Sequence, residues 1–172
     1  DKPTVAEITS VAAKLLRAGI GSQGEARIVE HRWLNTAVVT ARGRGWLAQP
    51  TGKRLALGLF AAALGNATSR RALEPLFQRI IFEAGPATGV RYSPADFATQ
   101  RTPLTAHNTV AALMASAAIP YVFGGVPDPS AQTSATHWDG GIIDYHFDLG
   151  HLRQSDQSGQ PGLWLYPHFG PQ

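Results

Sequence analysis

Cysteine is absent from the 172 residues, which excludes disulfide frameworks, thiolate metal sites and cysteine nucleophiles and leaves the redox compartment open. Acid is scarce: 12 Asp and Glu stand against 15 Lys and Arg, a net charge of +3. Arginine sets that balance, with twelve Arg to three Lys. The excess suits contact with anionic lipid or phosphate and is too small and dispersed to argue for nucleic acid. No long apolar run occurs; the strongest, Leu55 to Leu64, is ten residues and far short of a bilayer span. The chain opens Asp1-Lys2-Pro3, without a methionine, a charged leader or an apolar leader core, and so reads as a processed chain or a piece of a longer one. What is there is the composition of one globular domain: 44% hydrophobic, 16% charged, and long enough to bury a core.

Local signals predict alternating helices and strands. Thr4-Val5-Ala6-Glu7 has the capping-box pattern, and apolar residues at Val5, Ile8, Val11, Ala12, Leu15 and Leu16 keep a helical period up to Gly19. Thr36 to Ala41 is rich in β-branched residues and reads as a strand closed by the turn Arg42-Gly43-Arg44-Gly45. Gly52 to Leu64 reads as a helix ended by Gly65-Asn66, and Ser69 as the cap of another helix through Phe77. Arg79 to Phe82 is a strand candidate, Thr105 to Ser116 a helix stopped before Pro120, and Tyr121 to Phe123 a strand candidate. A loop runs from Gly124 to Thr136, and Gly162 to Tyr166 is a last apolar strand. Strands separated by helices imply a layered α/β fold with a largely parallel sheet.

Chemistry-bearing side chains are densest between His137 and His151, where His137, Asp139, Asp144, His146, Asp148 and His151 fall within fifteen residues. Three readings compete. Imidazole and carboxylate are ordinary zinc or iron ligands, but the spacing fits no helical metal motif, and Gly140-Gly141 interrupts any helix. Asp139, immediately before two glycines, is placed to be approached closely and to take a proton as a general base. A polar loop of solvated acids and capping histidines accounts for most members, Asp148 and His151 among them.

Ala115-Ser116-Ala117-Ala118-Ile119-Pro120, followed after a loop by Trp138-Asp139-Gly140-Gly141-Ile142-Ile143-Asp144, resembles the second signature of the patatin-like phospholipases. Three further stretches resemble a bacterial branch of that family: Val39 to Gly45, Leu64 to Arg71, and Leu165-Tyr166-Pro167-His168-Phe169. The resemblance implies a three-layer α/β/α fold and a serine–aspartate dyad that hydrolyses lipid esters, with Asp139 as the dyad aspartate and no metal or organic cofactor. Gly140 and Gly141 then shape the approach to Asp139. Trp138, Asp144 and His146 are candidates for the pocket wall or for contacts that support the aspartate.

The family's serine sits in a G-x-S-x-G elbow, and no such motif occurs here. Ile20-Gly21-Ser22-Gln23-Gly24 comes nearest, with isoleucine where the first glycine belongs, and Ser22 reads as a loop serine. The expectation is therefore that residues 1–172 form the C-terminal portion of one patatin-like domain. Its nucleophile and glycine-rich oxyanion loop would lie upstream of residue 1, and this chain would associate with that missing portion and be inactive alone. The partners expected are a lipid or ester substrate and a membrane surface, in the cytoplasm or peripherally bound. A non-catalytic lipid- or protein-binding module is the alternative, and a metallohydrolase built on His137–His151 the third class.

Other features carry less. Gly52 to Leu64, apolar nearly all round and flanked by Lys53-Arg54 and Arg70-Arg71, reads either as a core helix or as one that meets a lipid interface. Arg42 and Arg44 suit a phosphate or a solvated turn, and His168 follows a predicted strand end.

Overall fold

The computed structural model describes residues 2–86 and 96–144. The first helix, α1 (Val5–Ile20), begins at its capping box: Thr4 Oγ1 accepts from the Glu7 N–H at 3.2 Å, and the Glu7 carboxylate accepts from the Thr4 N–H at 2.7 Å. It ends at Gly21, whose φ of +74° a side chain would resist. A short α2 (Gly24–Val29) follows, then the strand β1 (Thr36–Gly43) where β-branched residues predict one. Helix α3 (Lys53–Thr68) runs through Gly65 instead of stopping there. The helix expected from Ser69 to Phe77 is a single 3-10 turn, Arg70–Leu73, because Phe77 already belongs to the strand β2 (Phe77–Ala84). Strand β3 (Thr99–Pro103) precedes α4 (Thr109–Ser116), and β4 (Val126–Pro127) and β5 (Thr136–Asp139) complete the sheet. Tyr121 and Val122 form a turn rather than a strand. The strand expected at Gly162 to Tyr166 lies outside the described residues.

The α/β class holds, but the sheet is not largely parallel. Its order is β3-β2-β1-β5-β4, and of its four pairings only β2 with β3 is parallel. The connection through α3 explains the difference. It leaves β1 and returns to the same end of the sheet: Gly43 pairs with Phe77, and the Arg44 N–H donates to Leu76 O at 2.8 Å. A helix between two strands forces a parallel crossover only when the chain returns to the opposite end.

Alternation along the strands sends two apolar sets to opposite faces. On one face Ala41, Phe77 and Trp138 pack with Leu55 and Ala62 of α3 and with Leu47 and Leu73. On the other, Val38, Ile80 and Phe82 pack with Ala112 of α4 and with Ile28 and Val29 of α2. Helices thus cover both faces, and the central strand β1 is buried along most of its length.

One buried charge is held within the first face. Arg79, fully buried on β2, donates from Nε and Nη2 to the two carboxylate oxygens of Asp144 at 2.6 and 2.5 Å. Its Nη1 reaches Asp96 and Thr99 Oγ1, each at 3.1 Å, and its guanidinium stacks 5.4 Å from the Phe97 ring centroid. Burial alone would lower the Arg79 pKa, but the bonds and charge of Asp144, with those of Asp96, raise it on balance. Removing one partner strands the other charge in the core. Asp144→Ala is therefore expected to cost about 3–5 kcal/mol in urea unfolding, with Arg79→Met plus Asp144→Leu recovering most of the loss. Equal midpoints for Asp144→Ala and the unaltered chain would show that the pair does not hold the fold.

Candidate functional site

Asp139 is the last residue of β5 and lies opposite Thr40 of β1. Its backbone N–H donates to Ala118 O at 3.1 Å. That bond joins the Ile119-Pro120 segment after α4 to the Asp-Gly-Gly turn, two stretches some twenty residues apart in sequence. The Asp139 carboxylate is half-buried and accepts one hydrogen bond, from the Gly141 N–H to Oδ1 at 2.8 Å. Oδ2 has no hydrogen-bond partner among the described residues, and no described cation pairs with the carboxylate. Burial raises the Asp139 pKa, and the Gly141 bond offsets only part of that rise.

The two glycines serve geometry more than flexibility. A Cβ on Gly140 would stand 2.4 Å from the Val39 carbonyl oxygen of β1, so the backbone crosses the neighbouring strand at a distance only glycine permits. The turn continues as a 3-10 helix, Gly140–Ile142, and Ile143 and Asp144 both donate backbone N–H groups to Gly140 O at 3.0 and 2.8 Å.

The other expected site residues separate from Asp139. Trp138 does not wall its pocket: one residue earlier on the strand, it points to the opposite face, is fully buried, and donates Nε1–H to Leu47 O at 2.9 Å. Asp144 is taken by Arg79 on that same opposite face, so its role is to anchor the segment. Among the described residues no group of three His, Asp or Glu converges as a metal would require. His146, Asp148, His151 and His168 lie outside the described residues. Arg42, read as a turn residue, lies within β1 and donates to Gln78 and Gln100 across the sheet, while Arg44 donates to Glu74 O at 3.0 Å. An open depression of about 730 Å³, lined by Arg27, His31, Arg32 and Trp33 among others, includes none of these residues.

Beside Asp139 stands a second arrangement that the sequence does not announce. His137 Nδ1 lies 2.9 Å from Thr40 Oγ1, and His137 Nε2 lies 3.5 Å from Asp128 Oδ1, too long for a hydrogen bond. Hydroxyl, imidazole and carboxylate therefore follow one another as in a nucleophilic triad. Thr40 and His137 are fully buried, however, so no ester carbonyl reaches the hydroxyl. Asp128 is occupied as well: it accepts from the N–H and hydroxyl of both Ser130 and Thr133, bonds that outweigh its burial and hold its pKa below the usual range. The arrangement is a buried contact, in which Asp128 closes the loop after β4 on itself through Ser130 and Thr133. A Gly/Pro/Ser/Thr loop with a lone aspartate hid it, since such an aspartate is commonplace in turns.

Desolvation lowers the His137 pKa to about 4, against the upward pull of Asp128 and with a smaller downward push from Arg42. The folded state therefore holds His137 neutral, and the unfolded chain binds more protons between pH 6.5 and 4. Stability from this group is complete above pH 6.5 and declines as pH falls toward 4, by up to about 3 kcal/mol. Asp128, with its lowered pKa, adds a loss at still lower pH, whereas protonation of Asp139 acts in the opposite sense. Urea midpoints measured across this range should fall with pH in the unaltered chain and fall less in His137→Phe. Parallel curves would remove the histidine from the account.

Comparison of the chain with protein-family models, with curated proteins and with solved structures finds no match.

Proposed function

We propose that this chain supplies the general-base aspartate, Asp139, of a serine–aspartate lipid acyl hydrolase of patatin-like type, with the serine contributed by polypeptide outside residues 1–172. The observation that carries the reading is the carboxylate itself: half-buried, without a counter-cation among the described residues, raised in pKa, and held through one oxygen only. A carboxylate used merely for structure is normally paired, as Asp144 is with Arg79. Desolvation makes a carboxylate a stronger base, and Oδ2, unbonded among the described residues, is where a proton would be received. The Asp139–Ala118 backbone bond adds support, because it links the two halves of the signature on which the resemblance rests.

In this reading the serine hydroxyl attacks the ester carbonyl while Asp139 accepts its proton. The tetrahedral intermediate collapses, and the alcohol leaves with the proton returned by Asp139. Water, deprotonated by Asp139, then attacks the acyl-serine, and the fatty acid is released as Asp139 returns that proton to the departing serine oxygen. Gly141 keeps the carboxylate oriented throughout. An Asn at 139 would still accept the Gly141 N–H, so the turn survives while the base is lost.

The full-length protein and its Asp139→Asn variant, assayed on p-nitrophenyl butyrate, should differ in kcat/KM by at least about a hundredfold. The acid limb of the parent's pH profile should lie above that of an ordinary aspartate. Equal turnover in the two proteins would end the assignment.

A further inference from the structure

A helix that packs on one side only presents its other side to a partner or to water. In α3 the side facing the sheet carries Leu55, Gly58, Leu59 and Ala62. Half a turn away, Lys53, Leu57, Phe60 and Leu64 follow one another along a single outward line. Leu57, Phe60 and Leu64 are 52%, 62% and 57% exposed. Large apolar side chains gathered in this way mark an interaction surface.

The charge on the helix itself has one sign: Lys53 and Arg54 are exposed in its first turn, and Lys53–Thr68 contains no Asp or Glu. Two copies meeting through this surface would bring like charges together. An anionic bilayer instead accepts the apolar line and matches the cations at its end. Among the described residues no helix is long and apolar enough to cross a membrane, so the contact lies in the plane of the interface.

We propose that the outward face of α3 docks this protein on an anionic lipid bilayer. Leu57, Phe60 and Leu64 enter the boundary between headgroups and acyl chains, and Lys53 and Arg54 meet lipid phosphates. The surface deepens the lipid-hydrolase reading but does not need its chemistry, because docking is measured without turnover.

Flotation of the full-length protein with phosphatidylcholine vesicles, and with vesicles that also contain phosphatidylglycerol, tests the proposal. Binding is expected to the mixed vesicles, to weaken with salt, and to fall at least about tenfold in Leu57→Gln plus Phe60→Gln. Lys53→Gln plus Arg54→Gln should erase the preference for phosphatidylglycerol. All four side chains are exposed, so both variants should keep the circular dichroism of the parent. Asp139→Asn should float like the parent, which separates docking from catalysis. Equal flotation of the parent and the Leu57/Phe60 variant overturns the proposal, as does failure to bind either vesicle. A dimer in sedimentation equilibrium that the Leu57/Phe60 variant dissolves also overturns it, in favour of self-association.

Discussion

Arg79 and Asp144 form the contact on which the arrangement around Asp139 depends. The arginine projects from β2 into the α3-facing core, where a lone guanidinium would be very costly. Asp144 matches it with two parallel hydrogen bonds, and to do so the chain after β5 must fold back over the sheet. That return is the 3-10 turn Gly140–Ile142, and Asp139 stands at its start. The ion pair thus fixes the far end of the short segment that aims the candidate base, and the pairing of β5 with β1 fixes the near end.

Two aspartates five residues apart are consequently given opposite environments. Asp144 meets a buried guanidinium in a dry core, and the pair is satisfied. Asp139 ends its strand on the other face, half-buried, with a single backbone donor. Environments that separate like groups in this way are how one protein assigns a structural role to one carboxylate and a proton-transfer role to another. His137 shows a third outcome: buried with one hydroxyl partner, it is held neutral.

Much of the fold was legible because its cues are local. The Thr4–Glu7 capping box, the β-branched run of β1 and the apolar run of α3 each act within a few residues, and each forms near where it is expected. Strand direction was not legible, since it depends on where the chain returns after α3, and that is decided by the meeting of Arg44 and Leu76. Strand β5 was hidden by its composition: Thr-His-Trp-Asp reads as a polar cluster, yet strict alternation buries His137 and Trp138 on opposite faces. The same alternation removes Trp138 from the site and leaves Asp139 in it. The partner of Asp144 lies 65 residues away, a pairing that no short-range pattern encodes. The approach of Asp128 to His137 is equally invisible from spacing.

A role for Asp139 as base requires a desolvated carboxylate, and among the described residues no cation balances it. Isotope-edited NMR of the side-chain carboxyl groups, followed through a pH titration, reports on this directly. The account predicts that Asp139 titrates above the ordinary aspartate value of about 3.9. A midpoint at or below that value would mean that the carboxylate is solvated or paired, and the case for it as a base would fail.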